Sequence, residues 1–282
     1  MTNEIAQTGN HALPDYLRGK AKENRIGNID RTDLIIPRIK LLQKVSTEIE
    51  EFEGAKPGEF WHSILNESLG AELLGIPIVM RKTHVLWAPR GDERGILARS
   101  RDAIHWDPPE GEFRVKFKGN MKEYVWKLAP TVVESGLAEF GSSRDDDPQS
   151  PPAAALTYEM LWLFPQRMDL GPSIILNTRG SVKTCKNLLS LIDAKPVDHF
   201  YQLYSIGSVV DKGPDNVTYF NYSYKSAGFP DESDGEIARS MFEQYKDIAF
   251  RASDERQDAE NPTYPNGGRP RSNAVRDENT KF

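Results

Sequence analysis

Between Arg81 and Lys127, cations and aromatic rings interleave: Arg81, Lys82, Arg90, Arg99, Arg101, Arg114, Lys116 and Lys118 are set among Trp87, Trp106 and Trp126. The chemistry such residues can do is non-covalent. Lys and Arg neutralise phosphates, and indole rings offer flat faces on which unpaired bases stack, which together describe a binder of single-stranded nucleic acid. The stretch carries eleven Lys and Arg against seven Asp and Glu, in a chain whose formal net charge is -6. Its positive charge is therefore placed locally rather than inherited from composition. The bland alternative is a half-buried antiparallel sheet, whose rings point inward and whose cations point to water.

Groove and platform both depend on the elements beneath them. The sequence LIIPRIKLLQKV opens an extended segment at Leu34, because Pro37 disfavours a helix and Arg38 and Lys40 alternate with Ile39 and Leu41. FWHSIL reads as a second strand, and LLGIPIVMRKTHVLWAP as a long one in which Pro77 marks an edge or a bulge. ILARS, EFRVKFKG and KEYVWKLA follow as short strands, with Gly119 and Asn120 turning the last two into a hairpin. Along EFRVKFKG the cations Arg114, Lys116 and Lys118 share one face, where they could underlie a phosphate backbone. In KEYVWK, Tyr124 and Trp126 share the face opposite Val125, so an inward Val125 would expose both rings. LTYEMLWLFP and PSIILNT give two more strands, and HFYQLYSIGSVV and NVTYFNYSYKSAG a further pair. Two amphipathic helices are expected, near 180–194 and 235–251. Ser181 is placed to cap the first, and its Lys183 and Lys186 would add cations to the groove.

Residues 1–33 and 253–282 are polar and lack apolar periodicity, so they are expected to be a flexible arm and a disordered tail around one domain at 34–252. No apolar run approaches the roughly 20 residues that span a bilayer, and the N-terminus has no apolar signal core, which leads to the expectation of a cytoplasmic, unprocessed protein without membrane contact. The single cysteine, Cys185, permits no internal disulfide and is expected to be a buried structural thiol.

Tests for catalytic motifs return little. The segment Gly180–Thr184 resembles a P-loop but lacks its upstream glycine and has Ser181 in place of the lysine. The five histidines, His11, His62, His84, His105 and His199, lack ligand spacing, and Asp145, Asp146 and Asp147 lack the pattern of a calcium loop. Neither a metal nor another cofactor is expected, and the reading is non-catalytic.

Across LIIPRIKLLQ, KPGEFWHSIL, the HVLWAPRG to AIHWDPP region, SGLAEFGSS and DPQSPPAA, the chain resembles phage-encoded proteins described as single-stranded DNA-binding or replication-module proteins, over about residues 34–250. That resemblance implies a mainly β (α+β) fold with an OB-like β-barrel core and one or two packed helices. It also implies sequence-independent binding of single-stranded DNA, with RNA as a possible substitute, during phage replication or recombination. The tail, with Asp277, Glu278 and terminal Phe282, is similar to the acidic, aromatic-ended tails through which such proteins recruit replication or recombination partners. Two other classes stay open: a structural or adaptor protein of virion assembly that homo-oligomerises by burying its aromatic faces, and a metal-dependent DNA-processing enzyme.

Overall fold

The computed structural model describes residues 35–89, 92, 94–213 and 217–248. Strand β1 (Ile39–Leu41), β2 (Phe60–His62) and β3 (Glu67–Ser68) form a small antiparallel sheet. The largest sheet contains β4 (Glu72–Trp87), β5 (Ile96–Ser100), β8 (Ala154–Leu163), β9 (Ser173–Thr178), β10 (Leu203–Lys212) and β11 (Thr218–Gly228), and a separate hairpin joins β6 (Gly111–Lys116) to β7 (Glu123–Leu128). The helices are α1 (Glu48–Glu51), α2 (Val132–Ser135), α3 (Val182–Asp193) and α4 (Glu232–Tyr245). The protein is thus mainly β with packed helices, as the sequence leads one to expect.

The large sheet runs β11-β10-β4-β8-β9, and β5 pairs with the far end of β4. Both of its faces are covered, which explains the unbroken apolar run MLWLF in β8. Met160 and Trp162 point into a core shared with Cys185, Leu188 and Ile192 of α3. Leu161 and Leu163 point the other way, into a core closed by Ala238, Ile237 and Met241 of α4. Neighbouring side chains on a strand alternate, so a strand buried on both faces cannot show polar alternation.

Pro77 does mark a bulge: the β4–β8 register shifts between Pro77 and Val79. The extra residue lets Ile76, Ile78 and Val79 all contribute to the α4-side core, and it reverses the alternation beyond that point. Met80 then packs on the α3 side and Arg81 turns toward α4. A single proline therefore decides which cation of the Arg81–Lys82 pair meets the helix.

The OB-like barrel expected from the sequence is corrected, because the sheet does not close through a ladder. It nevertheless curls. Four strand spacings of about 4.8 Å would hold β9 and β11 roughly 19 Å apart in a flat sheet, yet Tyr224 of β11 donates from its hydroxyl to the Asn177 side-chain oxygen of β9 at 2.8 Å. The first described segment occupies the seam. Ile174 of β9 donates its N–H to the Pro37 carbonyl at 2.8 Å, Ile39 and Leu41 enter the α3-side core, and Gln43 reaches the main chain of β11. Side chains, not a further main-chain ladder, finish the closure on the β11 side.

Helix ends differ in detail from the sequence reading. Ser181 makes no side-chain cap on α3; its hydroxyl donates to the Thr178 carbonyl at 2.9 Å. The second helix begins earlier than expected, at Glu232, where Asp231 caps it by accepting the Asp234 N–H. The short α2 has a reciprocal capping box between Thr131 and Glu134.

Candidate nucleic-acid interface

The 81–127 stretch builds a third core. Trp106, Tyr124, Trp126, Val115 and Leu128 pack with Leu86, Ala98 and Ala154 where β4, β5 and the start of β8 meet the hairpin. Trp106 and Trp126 are each 3 % exposed, while Val125 is 47 % exposed. The hairpin therefore faces inward with its rings. Two bulky aromatics remove far more apolar area from water than one valine, and that difference selects the face. Their polar edges are satisfied inside: the Trp106 indole N–H donates to the Ser135 hydroxyl at 3.0 Å and the Trp126 N–H to the Ser143 carbonyl at 3.1 Å. The expectation that Trp106 and Trp126 act as stacking platforms is corrected on this ground. Trp87 stays half-buried at the end of β4.

The hairpin cations are balanced across the strands. Arg114 lies 3.8 Å from Glu112 and 3.8 Å from Glu123, Lys127 lies 3.5 Å from Glu112, and Lys116 stands opposite Glu123 in the register. The outer face is a charge checkerboard rather than a row of cations. Lys118 is exposed just beyond the strand. Lys183 and Lys186 are exposed on α3, the helix that covers the sheet face opposite to α4, so they do not join Arg81 at the α4 contact. Arg90, Asp277, Glu278 and Phe282 lie outside the described residues, as do the N-terminal arm and the tail.

Four of the expected residues do converge. Arg81, Lys82, Arg101 and Trp106 line one cleft of about 670 Å³, together with His105 and Lys246. The cleft exists because β4 is laddered discontinuously along one edge. Residues 72–75 pair with β10 and residues 84–87 with β5, and the C-terminal end of α4 comes to lie against the edge between them.

The cations of this region do not all do the same job. Arg81 donates to the carbonyls of Tyr245 at 2.9 Å and Lys246 at 2.8 Å, and also to that of Ile248. It serves the carbonyls at the negative end of the α4 dipole. Burial lowers its guanidinium pKa, opposed by the charges of Glu159 and Asp247. Arg99, which does not line the cleft, lies 3.8 Å from the buried Glu159, and its main chain is hydrogen-bonded to that of Asp107. Lys82 is exposed, Arg101 is half-buried, and Lys246 bridges to Glu243 at 2.6 Å. These three line the cleft beside Arg81.

Two further residues, Asp102 and His105, complete the rim. Asp102 accepts the N–H groups of Ile104 at 2.8 Å and His105 at 2.7 Å, and its other oxygen meets the His105 ring Nδ1 at 2.7 Å. Burial pushes the Asp102 carboxyl up, but the hydrogen bonds from His105, Ile104 and Ser100 outweigh it and hold the group well below the usual carboxylate range. The ring is thereby oriented through Nδ1. The signal in the sequence was the Asp-x-x-His spacing of a side-chain-closed turn. Nothing local in the sequence could have brought Lys246 to Arg101.

Among the described residues there is no group of three or more His, Cys, Asp or Glu side chains able to hold a metal ion, and no helix long and apolar enough to cross a membrane. A family model described as "Pam3 phage gp34-like protein" matches residues 6–250. No curated protein and no solved structure matches the chain.

Proposed function

The chain belongs to the Pam3 phage gp34-like family, and from that premise we propose that it is a non-catalytic, sequence-independent single-stranded DNA-binding protein serving phage DNA replication or recombination in the host cytoplasm. The observation that supports this reading is the convergence of Lys82, Arg101 and Lys246 on one cleft from three separate parts of the chain. The mode of binding differs from the one read off the sequence. Phosphate neutralisation carries it, since two of the three candidate rings are structural. Arg81 anchors α4 beside the cleft and Arg99 pairs with the buried Glu159, and the tail with Asp277, Glu278 and Phe282 remains the proposed recruiter of replication or recombination partners.

Binding should therefore fall steeply with salt, because each neutralised phosphate releases counterions. Fluorescence anisotropy of labelled oligo(dT) at two salt concentrations tests this. Absence of binding, or affinity indifferent to salt, would sink the reading.

A second reading, a homo-oligomeric adaptor of virion assembly, is favoured by one specific observation. The β10–β11 ribbon extends past its pairing with β4 and carries Val209, Val210 and Val217 exposed near its tip, with Val210 at 66 %. Exposed β-branched side chains on a two-stranded ribbon that projects beyond its sheet are a common docking surface. Sedimentation with and without oligonucleotide separates the two, since the adaptor forms a defined oligomer that ignores DNA.

A further inference from the structure

We infer that the cleft takes the phosphorylated end of a strand, a phosphomonoester, in preference to the interior of a continuous backbone. The inference rests on the nucleic-acid-binding reading above and adds the chemical class of the ligand that the cleft selects.

The first ground is the arrangement of charge. Lys82, Arg101 and Lys246 are gathered around one cleft, whereas the hairpin beyond it is balanced by Glu112 and Glu123. A strand running through the cleft needs cations along its whole length, and sites of that kind on OB-type folds span about 4–16 nucleotides. Here the described cations form a cluster rather than a track. Asp102, Asp107 and Asp247 line the same cleft, so each neighbouring phosphate of a continuous backbone adds negative charge beside carboxylates. A terminal phosphate has one such neighbour instead of two.

The second ground is the ligand's own charge. A phosphodiester bears one negative charge, while a monoester bears about -1.5 to -2 at neutral pH and offers three acceptor oxygens. Three cations lining one cleft suit a compact, highly charged group better than a single diester. His105 is held on the same rim by the 2.7 Å contact of its Nδ1 with Asp102, and in the imidazolium form its Nε2–H donates as well.

The third ground is size. Pockets of about 300–1,000 Å³ hold ligands of drug dimensions, and a cleft of about 670 Å³ falls in that range. It is large enough for a terminal nucleotide with its phosphate.

The test is competition for labelled oligo(dT) by unlabelled strands of one length and sequence, carrying a 5′-phosphate, a 3′-phosphate or hydroxyls at both ends. Circular single-stranded DNA and free thymidine monophosphate complete the set. One of the phosphorylated ends is expected to compete about tenfold better than the hydroxyl-ended strand, and Lys82→Ala and Arg101→Ala should each erase that advantage while a thermal melt confirms folding. Better competition by free thymidine monophosphate than by any strand end would assign the cleft to a free nucleotide and overturn the strand-end inference. Equal competition by all strands, circles included, overturns it while leaving the binder reading intact. If no strand competes or binds, the binder reading itself fails, and the inference falls with it.

Discussion

Gln43 pairs with both main-chain groups of Phe220. Its side-chain N–H donates to the Phe220 carbonyl at 2.9 Å, and its side-chain oxygen accepts the Phe220 N–H at 2.8 Å. A side-chain amide here reproduces the hydrogen bonds that a neighbouring strand would offer to β11. The other edge strand is met within the same segment, where Ile174 of β9 donates to Pro37. Residues 37–43 thus run from one unladdered edge of the curled sheet to the other, satisfying main-chain groups that would otherwise invite pairing with another chain.

Removing that clasp should loosen the seam. Gln43→Ala leaves the Phe220 N–H and carbonyl without their partner and is expected to cost about 1–3 kcal/mol in urea unfolding. Gln43→Glu should cost at least as much despite its similar shape, since it can accept the N–H but places a negative oxygen against the carbonyl. A glutamate variant as stable as the parent would show that the amide is incidental.

The sequence suggests Arg81 as a phosphate contact, but its three carbonyl partners make it an anchor of α4. Arg81→Ala is expected to destabilise by about 1–3 kcal/mol, with Arg81→Lys recovering only part because an ammonium lacks the planar fork. Hydrogen exchange should locate the loss at the C-terminal turn of α4. DNA affinity measured well below the melting temperature should fall less for Arg81→Ala than for Lys82→Ala; the reverse order would return Arg81 to the ligand.

The sequence carried every strand but the two-residue β3, both long helices and, at Pro77, a break read as an edge or a bulge, because each is written in local periodicity and in residues with one conformational meaning. It did not settle which face of KEYVWK is buried. Alternation defines two faces but does not name the inner one, and only the partner surface of Leu86, Ala98 and Ala154 shows that Tyr124 and Trp126 fill a core. The row Arg114, Lys116, Lys118 misled for a related reason. Glu123 belongs to the opposite strand, and its neutralising effect depends on a register that the turn sets. The cleft was legible at Arg81, Lys82 and Arg101, and illegible at Lys246, which arrives from about 145 residues away along the chain.

The buried indoles give a direct optical prediction. Trp61, Trp106, Trp126 and Trp162 are all buried, so oligo(dT) should quench intrinsic fluorescence only weakly, with Trp87 the responsive ring. Trp106→Phe should keep its DNA affinity while the protein is folded. Trp126→Ala should lose about 3–5 kcal/mol of stability. Strong quenching that disappears in Trp106→Phe would instead mean that DNA draws this ring out of its core.

Alkaline pH should unfold the chain from its α3-side core. Burial raises the Cys185 thiol from 9.0 to about 12, and burial likewise raises the Tyr204 phenol from 10.0 to about 12. Tyr224 is pushed well above 10.0, by burial first, then by Tyr222 and Cys185. In each case the folded state disfavours the anion that the unfolded chain forms freely. The stability linked to these groups is therefore complete below the unfolded values and is lost as pH rises from about 9 to about 12. Urea midpoints should decline across that window, and Cys185→Ala should remove the portion that begins lowest. The same burial keeps the thiol from reacting: a disulfide reagent at pH 8 should label native protein slowly and unfolded protein at once. Rapid stoichiometric labelling of the native protein would place Cys185 outside the core it shares with Met160 and Leu188.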